Sequence, residues 1–249
     1  AERPLVYGGG GLINSGPEAC ARFTEFVRLI DSPCTLTLMG LGALPASDPH
    51  FLGMVGMHGT YEANLAMHDC DVMIAVGARF DDRVTGRLNA FSPHSKKIHI
   101  DIDPSSINKN VRVDVPLIGD FSEALKALIE GWSRAAPKRL PAGRQKWWAK
   151  VEEWRGRDCL RYDKGRKDVI KPQYALERLY ALTHDRDPFI TTEVGQHQMW
   201  AAQFFKFEQP YRWMTSGGLG TMGYGLPAAV GVQVAHPDAL VIDIAGEAS

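Results

Sequence analysis

The chain has 249 residues, 45% of them hydrophobic and 23% charged, with a formal net charge of −1 at pH 7. This composition is typical of an ordinary soluble globular protein with one large or two modest domains. The near-neutral charge argues against a nucleic-acid or membrane-surface partner, and no apolar run approaches the roughly 20 residues of a membrane-spanning helix.

The first part of the chain alternates predicted strands and helices. The apolar runs that predict strands are PLVYGGG, CTLTLMG, DVMIAVG, KIHIDID and VPLIGD. Between them, helical spacing of apolar residues occurs in GPEACARFTEFVRLI, TYEANLAMHDC and FSEALKALIEGW. Continuous apolar strands separated by helices predict a parallel sheet covered on both faces. Residues 1–135 are therefore predicted to form one doubly wound parallel-sheet α/β domain.

The composition changes between residues 133 and 168, which are rich in charge and contain Pro137, Pro141 and three Trp. We interpret residues 136–171 as a linker with a Trp-rich helix, QKWWAKVEEWR, whose Trp side chains pack against a neighbour. Acidic residues interleave with the basic ones, which argues against a nucleic-acid patch.

A second α/β pattern begins at Pro172. Helices are predicted in PQYALERLYALT, HQMWAAQFF and GYGLPAAVGVQVA, and strands in PFITTEVG and ALVIDIAG. A parallel sheet of two or three strands cannot cover both faces, so residues 172–249 are predicted to be the truncated first half of a domain. Both ends of the chain, AERPLV and DIAGEAS, are expected to be cut from a longer sequence.

The four cysteines, Cys20, Cys34, Cys70 and Cys159, are scattered and form no CxxC motif. We expect buried free thiols in a reducing compartment rather than disulfides.

Two glycine-containing segments of the first domain precede predicted helices. YGGGGLINSG offers backbone N–H groups to a phosphate but does not fit G-x-G-x-x-G, so cofactor contact and a plain tight turn both remain open. In GMVGMHGTYEAN, His58 lies before a helix that Thr60 could cap. We favour a binding contact for His58 over a role as general base.

Acidic residues end three successive strands of the first domain. VGARFDDRVTGR contains Arg79, Asp81, Asp82 and Arg83, which form either a solvated ion-pair loop or a ligand site at the carboxyl edge of the sheet. Asp101 and Asp103 end the next strand and Asp120 follows the last one. Together they predict an adenosine-type cofactor lying across the sheet edge.

The second pattern contains three polar or glycine-rich turns. Glu193, Gln196 and His197 lie at a strand-to-helix turn, and SGGLGTMGYGLPAA is a glycine-dense loop suited to an anionic group. The closing IAGEAS places Glu247 next to small residues, where a carboxylate could hold a Mg²⁺ ion that bridges a pyrophosphate.

Taken together, GMHGT, RFDDRVTG, HIDID, VGQHQMWAAQ and SGGLGTMGYGLPAA closely resemble the acetolactate synthase (acetohydroxyacid synthase) family of thiamine-diphosphate enzymes. The resemblance covers almost all of the chain outside residues 133–168. It implies a central, FAD/NAD-binding-like domain that holds FAD at 1–135. It also implies the start of a C-terminal domain that binds the diphosphate through Mg²⁺ at 172–249.

The resemblance also implies site residues. The expected FAD contacts are Gly9, Gly10, Thr37, Leu38, Met39, Gly56, Met57, His58, Gly59, Gly77, Arg79, Asp81, Arg83, Val84, Asp101, Ile102 and Asp120. The expected thiamine-diphosphate contacts are Val194, Gly195, Gln196, His197, Met199, Gly220, Met222 and Gly246. Glu247 is the expected Mg²⁺ ligand, and Met57, Asp82 and Arg83 are expected to face the substrate channel.

The motif at the end of the chain departs from the family pattern. Gly246-Glu247-Ala248 stands where the family has Gly-Asp-Gly, so the carboxylate lies one methylene farther out. The activating glutamate is expected in an N-terminal domain outside this chain. No catalytic residue is therefore assigned here, and the chain alone is expected to be inactive.

By resemblance, the parent enzyme condenses two pyruvates, or pyruvate and 2-ketobutyrate, with loss of CO₂ in branched-chain amino-acid biosynthesis. It is expected to be a homodimer or tetramer of catalytic subunits, with a small regulatory subunit. A cytoplasmic location is expected, or a plastid or mitochondrion in a eukaryote. The alternatives are another thiamine-diphosphate carboligase or oxidase, or a stand-alone dinucleotide-binding domain.

Overall fold

The computed structural model describes residues 1–135, 142–165 and 168–247. The chain divides into two compact units, residues 1–159 and residues 160–249. Every strand pair given for the described residues is parallel, which confirms the predicted α/β fold class.

The first unit is built on a six-stranded sheet with the order β3-β2-β1-β4-β5-β6. The strands are β1 Pro4–Gly8, β2 Cys34–Leu36, β3 Phe51–Met54, β4 Val72–Val76, β5 Lys96–Asp101 and β6 Val115–Ile118. The chain proceeds outward from β1 in one direction and from β4 in the other. This reversal leaves a crevice between β1 and β4 at the carboxyl edge, where doubly wound folds bind ligands.

Helices cover both faces of this sheet. They are α1 Gly10–Asn14, α2 Pro17–Leu29, α3 Tyr61–Asp69, α4 Asp82–Thr85, α5 Phe121–Ala135 and α6 Gly143–Arg155. Side chains alternate along β1. Leu5 and Tyr7 join a buried cluster with residues of α3 and α6, whereas Gly8 lies against Phe23 of α2.

The Trp-rich segment forms α6, which packs on the first unit. Trp147 is fully buried, and its Nε1 donates a hydrogen bond of 3.0 Å to the carbonyl oxygen of Pro4. The Arg144 guanidinium donates to the carbonyl oxygen of Asp31 at 2.6 Å. Both contacts fasten the helix to the amino-terminal edge of the sheet, away from the crevice.

The second unit contains a three-stranded sheet with the order β8-β7-β9. The strands are β7 Phe189–Thr192, β8 Trp213–Thr215 and β9 Val241–Ile244. The helices are α7 Pro172–Thr183, α8 Gln196–Phe204 and α9 Gly225–Ala235. The central strand β7 is buried along its whole length.

All four cysteines are free, as predicted, and Cys20, Cys34 and Cys70 are buried. The prediction of burial was wrong for Cys159, which is exposed. It follows α6 in a surface turn, where its Sγ accepts a hydrogen bond of 3.3 Å from the backbone N–H of Tyr61. In the described ranges, no helix is long and apolar enough to cross a membrane.

Candidate cofactor sites at the two sheet edges

The predicted FAD contacts lie in the segments that follow the carboxyl ends of the six strands. They are Gly9 and Gly10 after β1, residues 37–39 after β2, residues 56–59 after β3, Gly77, Arg79, Asp81, Arg83 and Val84 after β4, Asp101 and Ile102 at the end of β5, and Asp120 after β6. The fold therefore brings all of them to one edge of the sheet, and those after β1 and β4 flank the crevice.

Glycines shape the floor of this crevice by direct backbone contact. The N–H of Gly9 donates to the carbonyl oxygen of Val76 at 2.9 Å, and that of Gly11 donates to Gly77 at 3.1 Å. A Cβ on Gly9 would lie 2.1 Å from the carbonyl oxygen of Gly77. Gly77 has a φ of +62°, a conformation that favours glycine. Close packing thus requires glycine here, independently of any ligand.

Thr37 places a buried hydroxyl beside the same crevice. Its backbone N–H donates to the carbonyl oxygen of Gly8 at 2.9 Å. Its Oγ1 is buried and has no hydrogen-bond partner within the described part of the chain. Buried polar atoms are normally paired, so this hydroxyl fits a polar group of a bound ligand.

The loops after β3 and β4 are tied together by the backbone. The N–H of Met57 donates to the carbonyl oxygen of Arg83 at 2.8 Å, and the Asn64 side chain bonds both backbone groups of Gly56. The Met57 side chain is 61% exposed. Two of the predicted channel residues therefore meet at the surface, with Asp82 beside Arg83 at an Oδ2–Nε distance of 3.9 Å.

The charged residues of this edge have several different local roles. Arg79 and Asp81 form an exposed ion pair of 2.8 Å. Asp120 accepts hydrogen bonds from two backbone N–H groups at the start of α5. Asp103 accepts them from Ser105, which lowers the pKa of its carboxyl. Asp101 is buried and accepts a 2.9 Å bond from the N–H of Asp103.

The second unit has a cavity of about 590 Å³ at the carboxyl ends of β7 and β9. The chain leaves β7 toward β8 on one side, and β9 returns on the other side. The cavity therefore lies at the switch point of this sheet. Its lining residues come from α7, the start of α8 and the segments after β7 and β9: Pro172, Ala175, Leu176, Val194, Gly195, Gln196, His197, Trp200, Met222, Ile244, Gly246 and Glu247.

Most of the predicted thiamine-diphosphate contacts line this cavity. They are Val194, Gly195, Gln196, His197, Met222 and Gly246, joined by the predicted metal ligand Glu247. Two predicted residues are not among the lining residues. Gly220 lies next to Val194, because a Cβ on it would be 3.7 Å from Val194 Cγ1, and Met199 lies on α8.

His197 is held between two glycines of the cavity wall. A Cβ on Gly195 would lie 2.9 Å from the imidazole Cε1, and one on Gly246 would lie 3.0 Å from the same atom. The His197 Nε2 is buried, and none of the described residues gives it a hydrogen-bond partner. Because Gly195 and Gly246 have no side chains, the His197 ring fits between them, and its Nε2 can donate a hydrogen bond to an anionic ligand.

Comparison with known proteins gives two matches along the chain. Residues 1–128 match the family described as the central domain of thiamine pyrophosphate enzymes. Residues 193–249 match the C-terminal thiamine pyrophosphate binding domain of such enzymes. The chain belongs to the thiamine pyrophosphate enzymes. Both predicted domain types, and the predicted cofactor at the level of the family, are confirmed.

The individual relatives are acetolactate synthases. The chain is 47% identical to the isozyme 3 large subunit of Escherichia coli K12 and 43% identical to the large subunit of Haemophilus influenzae. It is 45% identical to the chloroplastic acetolactate synthase 3 of Brassica napus. All of this chain matches, and it covers 43%, 43% and 37% of these relatives. The predicted resemblance is confirmed, over less than half the length of each relative.

The residues of this cavity are better suited to bind thiamine pyrophosphate than to bind a metal ion. The unpaired His197 Nε2 is a suitable donor for a diphosphate oxygen. Glu247 is exposed, and the described residues include no group of three or more His, Cys, Asp or Glu that could hold a metal ion. Ala248 of the terminal motif lies outside the described residues.

Sequence reasoning left three buried polar residues of the second unit unassigned. Gln198 Nε2 donates to Thr215 Oγ1 at 2.6 Å, and the hydroxyls of Thr192 and Thr215 are 2.7 Å apart. These bonds join the carboxyl ends of β7 and β8 to α8. Because they depend on strand pairing, only the placement of Gln198 within VGQHQMW could have indicated them.

His99 in the first unit was also missed. It is fully buried in β5, and its Nε2 lies 2.8 Å from the carbonyl oxygen of Ala78. Burial lowers the pKa of this imidazole despite the nearby Asp101. A neutral ring that donates through Nε2 therefore holds the loop after β4 against β5. The signal was its position within HIDID, where it alternates with apolar residues.

Proposed function

We propose that this chain is part of an acetolactate synthase catalytic subunit. The proposed reaction condenses two pyruvates, or pyruvate and 2-ketobutyrate, with loss of CO₂. The observation that carries the proposal is the cavity at the β7–β9 switch point, since seven of the residues expected from the resemblance line it. The names of the relatives support the same activity.

Bound thiamine diphosphate would supply the carbon nucleophile that permits decarboxylation of a 2-keto acid, while the protein binds and orients it. We propose that Gln196 and the His197 Nε2 donate to the diphosphate, with Val194, Gly195, Met199 and Gly246 beside them. Gly220 and Met222 would contact the aminopyrimidine. The partly apolar wall of Leu176, Trp200 and Ile244 would exclude water from the bound cofactor.

We further propose that the crevice between β1 and β4 holds FAD in a structural role, without net redox chemistry. The glycine floor lets a ligand approach the backbone closely, and the unpaired Thr37 hydroxyl offers a hydrogen bond. Asp101, buried at the end of β5, would contact the ribose. The remaining FAD contacts and the channel role of Met57, Asp82 and Arg83 are proposals that rest on the resemblance.

Magnesium is proposed to bind beside the diphosphate. Glu247 would be one ligand, and the described residues include no group of three or more His, Cys, Asp or Glu that could hold the ion without further ligands. No step is therefore assigned to the metal. Hard cations take carboxylate and carbonyl oxygens, so the remaining ligands would have to come from the diphosphate, water or residues beyond the described ones.

The broader organisation follows from the proposed identity. We propose a central FAD domain at 1–135, a linker at 136–171 and the start of the thiamine-diphosphate domain at 172–249. The complete enzyme would be a homodimer or tetramer with a small regulatory subunit. A cytoplasmic location, or a plastid or mitochondrion in a eukaryote, is part of the same proposal.

The activity is tested with two proteins, the catalytic subunit that contains this chain and the 249-residue chain itself. With thiamine diphosphate, Mg²⁺ and pyruvate, the subunit should form acetolactate in a colorimetric assay, and the chain alone should form none. A subunit that oxidises pyruvate without forming acetolactate would contradict the proposal.

The FAD proposal has its own test. The purified subunit should show flavin absorbance, and flavin should be released on denaturation. A protein that takes up NAD and no flavin would overturn the assignment of the first unit, whatever the result at the second cavity.

A further inference from the structure

Glu193 is a buried carboxylate that connects two distant parts of the second unit. It follows β7 directly, and its side chain reaches the start of α9. Its Oε1 accepts a hydrogen bond of 2.6 Å from the N–H of Gly225, and its Oε2 accepts one of 2.7 Å from the N–H of Gly223. The residue is only 2% exposed.

The bond from Gly225, the first residue of α9, caps the helix from a remote position, and the bond from Gly223 holds the turn that precedes the helix. The N-cap residue of α9, Tyr224, makes no side-chain capping bond with any described residue, although the first N–H groups of a helix need acceptors. Glu193 supplies one such acceptor, for the N–H of Gly225, across 32 positions of sequence. Its negative charge also faces the positive end of the helix macrodipole.

The carboxylate is held in its charged form by backbone donors alone. Burial acts to raise the pKa of Glu193, but hydrogen bonding from the backbone of residues 223–226 outweighs it and keeps the pKa below its usual value. None of the ion pairs among the described residues involves Glu193. The stabilisation of this charge therefore depends on the position of the loop that donates to it.

That loop carries one wall of the cavity. Residues 216–224 connect β8 to α9, and Met222 within them lines the cavity. At the other end of the loop, Ser216 Oγ accepts a 2.8 Å bond from the N–H of Thr221. Most loop side chains are exposed, including Leu219 at 96%, so apolar burial does little to fix the loop. The hydrogen bond from the N–H of Gly223 to Glu193 Oε2 attaches the loop to the segment that follows β7.

Glu193 also adjoins the opposite wall. Val194 and Gly195, the next two residues, line the cavity together with His197. The start of α9 packs closely on this segment, because a Cβ on Gly225 would lie 2.9 Å from the Glu193 nitrogen and 2.4 Å from Asp243 Oδ1. One residue thus links the wall proposed for the diphosphate to the wall proposed for the aminopyrimidine.

We propose that Glu193 is a positioning residue, a carboxylate latch that holds loop 216–224 against β7 and so sets the distance between the two walls of the cavity. The inference rests on the proposed thiamine-diphosphate site, but the latch itself is a property of the protein alone. Glu193 does not line the cavity, so its effect on the cofactor is exerted through Met222 and Gly220.

The test uses the catalytic subunit that contains this chain and the variant Glu193→Gln, which keeps the size of the side chain but turns one acceptor into a donor. Hydrogen exchange of peptides covering residues 216–226 is measured by mass spectrometry without cofactor. Charged hydrogen bonds are the strong ones, so exchange of the latched amides is expected to be about tenfold faster. The matched control is Glu177→Gln on α7, which removes a half-buried carboxylate that is paired with Lys164 and accepts a hydrogen bond from Tyr162.

Thiamine-diphosphate affinity is measured on the same proteins by quenching of tryptophan fluorescence, together with KM for the cofactor and kcat. We expect the affinity of Glu193→Gln to fall about tenfold or more, with kcat at saturating cofactor changed less. A merely structural role would lower thermal stability and leave KM for the cofactor unchanged. Glu193→Asp, which keeps the charge but shortens the reach, should fall between the two.

The readouts separate the two levels of the proposal. Exchange in 216–226 that matches the wild type would overturn the latch, whatever the cofactor does. Faster exchange with unchanged cofactor affinity would overturn the positioning role. A wild-type subunit that binds no thiamine diphosphate would contradict the proposed function instead. In that case the latch would still be tested by the hydrogen exchange of residues 216–226. If Glu193→Gln does not fold, Glu193→Asp is judged by the same two measurements.

Discussion

The two sheet edges of this chain are held together by different kinds of contact. At the six-stranded edge, Gly9 and Gly77 bring backbone against backbone, and the charged side chains around them stand largely in solvent. At the three-stranded edge, buried polar side chains such as Glu193 and Gln198 connect the segments. The first edge is therefore sensitive to added volume, and the second to lost acceptors or charge.

The largest effect is expected from adding one methyl group to the glycine floor. Gly9→Ala would place a Cβ 2.1 Å from a backbone oxygen, so the backbone must move, at a cost of about 3 kcal/mol. Urea unfolding of the chain measures it. Gly131→Ala in α5 is the matched control, since its Cβ would meet open space and should stabilise the helix by about 0.5 kcal/mol. Equal effects of the two changes would refute the packing account of this edge.

Two threonines near the first edge allow a structural hydroxyl to be compared with one that is available to bind a ligand. Thr35 Oγ1 donates to the carbonyl oxygen of Gly53 at 2.8 Å, so Thr35→Val should lower the free energy of unfolding by about 2 kcal/mol. Thr37→Val removes an unpaired hydroxyl and should leave the apoprotein as stable as before or more so. Flavin affinity of the catalytic subunit should respond in the opposite order. A large loss of apoprotein stability in Thr37→Val would contradict this assignment.

At the second edge, crowding His197 should weaken cofactor binding more than it weakens the fold. Gly246→Ala would bring a Cβ to 3.0 Å from the imidazole Cε1, and the ring must shift by a few tenths of an ångström. About a tenfold loss of thiamine-diphosphate affinity is expected, equivalent to about 1.4 kcal/mol. Gly218→Ala, which meets open space, is the control. Unchanged thiamine-diphosphate affinity in Gly246→Ala would contradict a contact between His197 and the diphosphate.

The smallest effect is a dependence on pH. The folded-state pKa of Glu193 is lowered from its usual 4.5, so its contribution to stability is fully present above that value. The contribution is lost as the pH falls through the lower, folded-state pKa. The stability difference between the wild type and Glu193→Gln should therefore be constant at neutral pH and shrink in acid. A difference that grows in acid would mean that the carboxyl is protonated in the folded protein.

Local patterns were sufficient to predict the parallel sheet and most of its strands, but not the short strands β3 Phe51–Met54 and β8 Trp213–Thr215. Continuous apolar runs such as residues 72–76 predict a strand buried on both faces, and parallel strands place the residues that follow them at one edge of the sheet. These elements could be predicted from neighbouring residues alone. The individual site residues and their chemistry rest on the motif resemblance and stay predictions.

Contacts between distant positions could not be predicted in this way. The bond from Trp147 to Pro4 spans 143 positions, and that from Glu193 to Gly225 spans 32. Both depend on how helices pack on the sheet. The exposure of Cys159 and the unpaired hydroxyl of Thr37 belong to the same class, because burial and pairing are properties of the folded chain rather than of a local pattern.

The most direct test of the central claim is a crystal structure of the catalytic subunit that contains this chain, with thiamine diphosphate and Mg²⁺. The diphosphate should lie in the cavity between β7 and β9, with an oxygen at a hydrogen-bond distance of about 2.7–3.2 Å from His197 Nε2. A cofactor bound elsewhere, with the His197 Nε2 still unpaired, would contradict it.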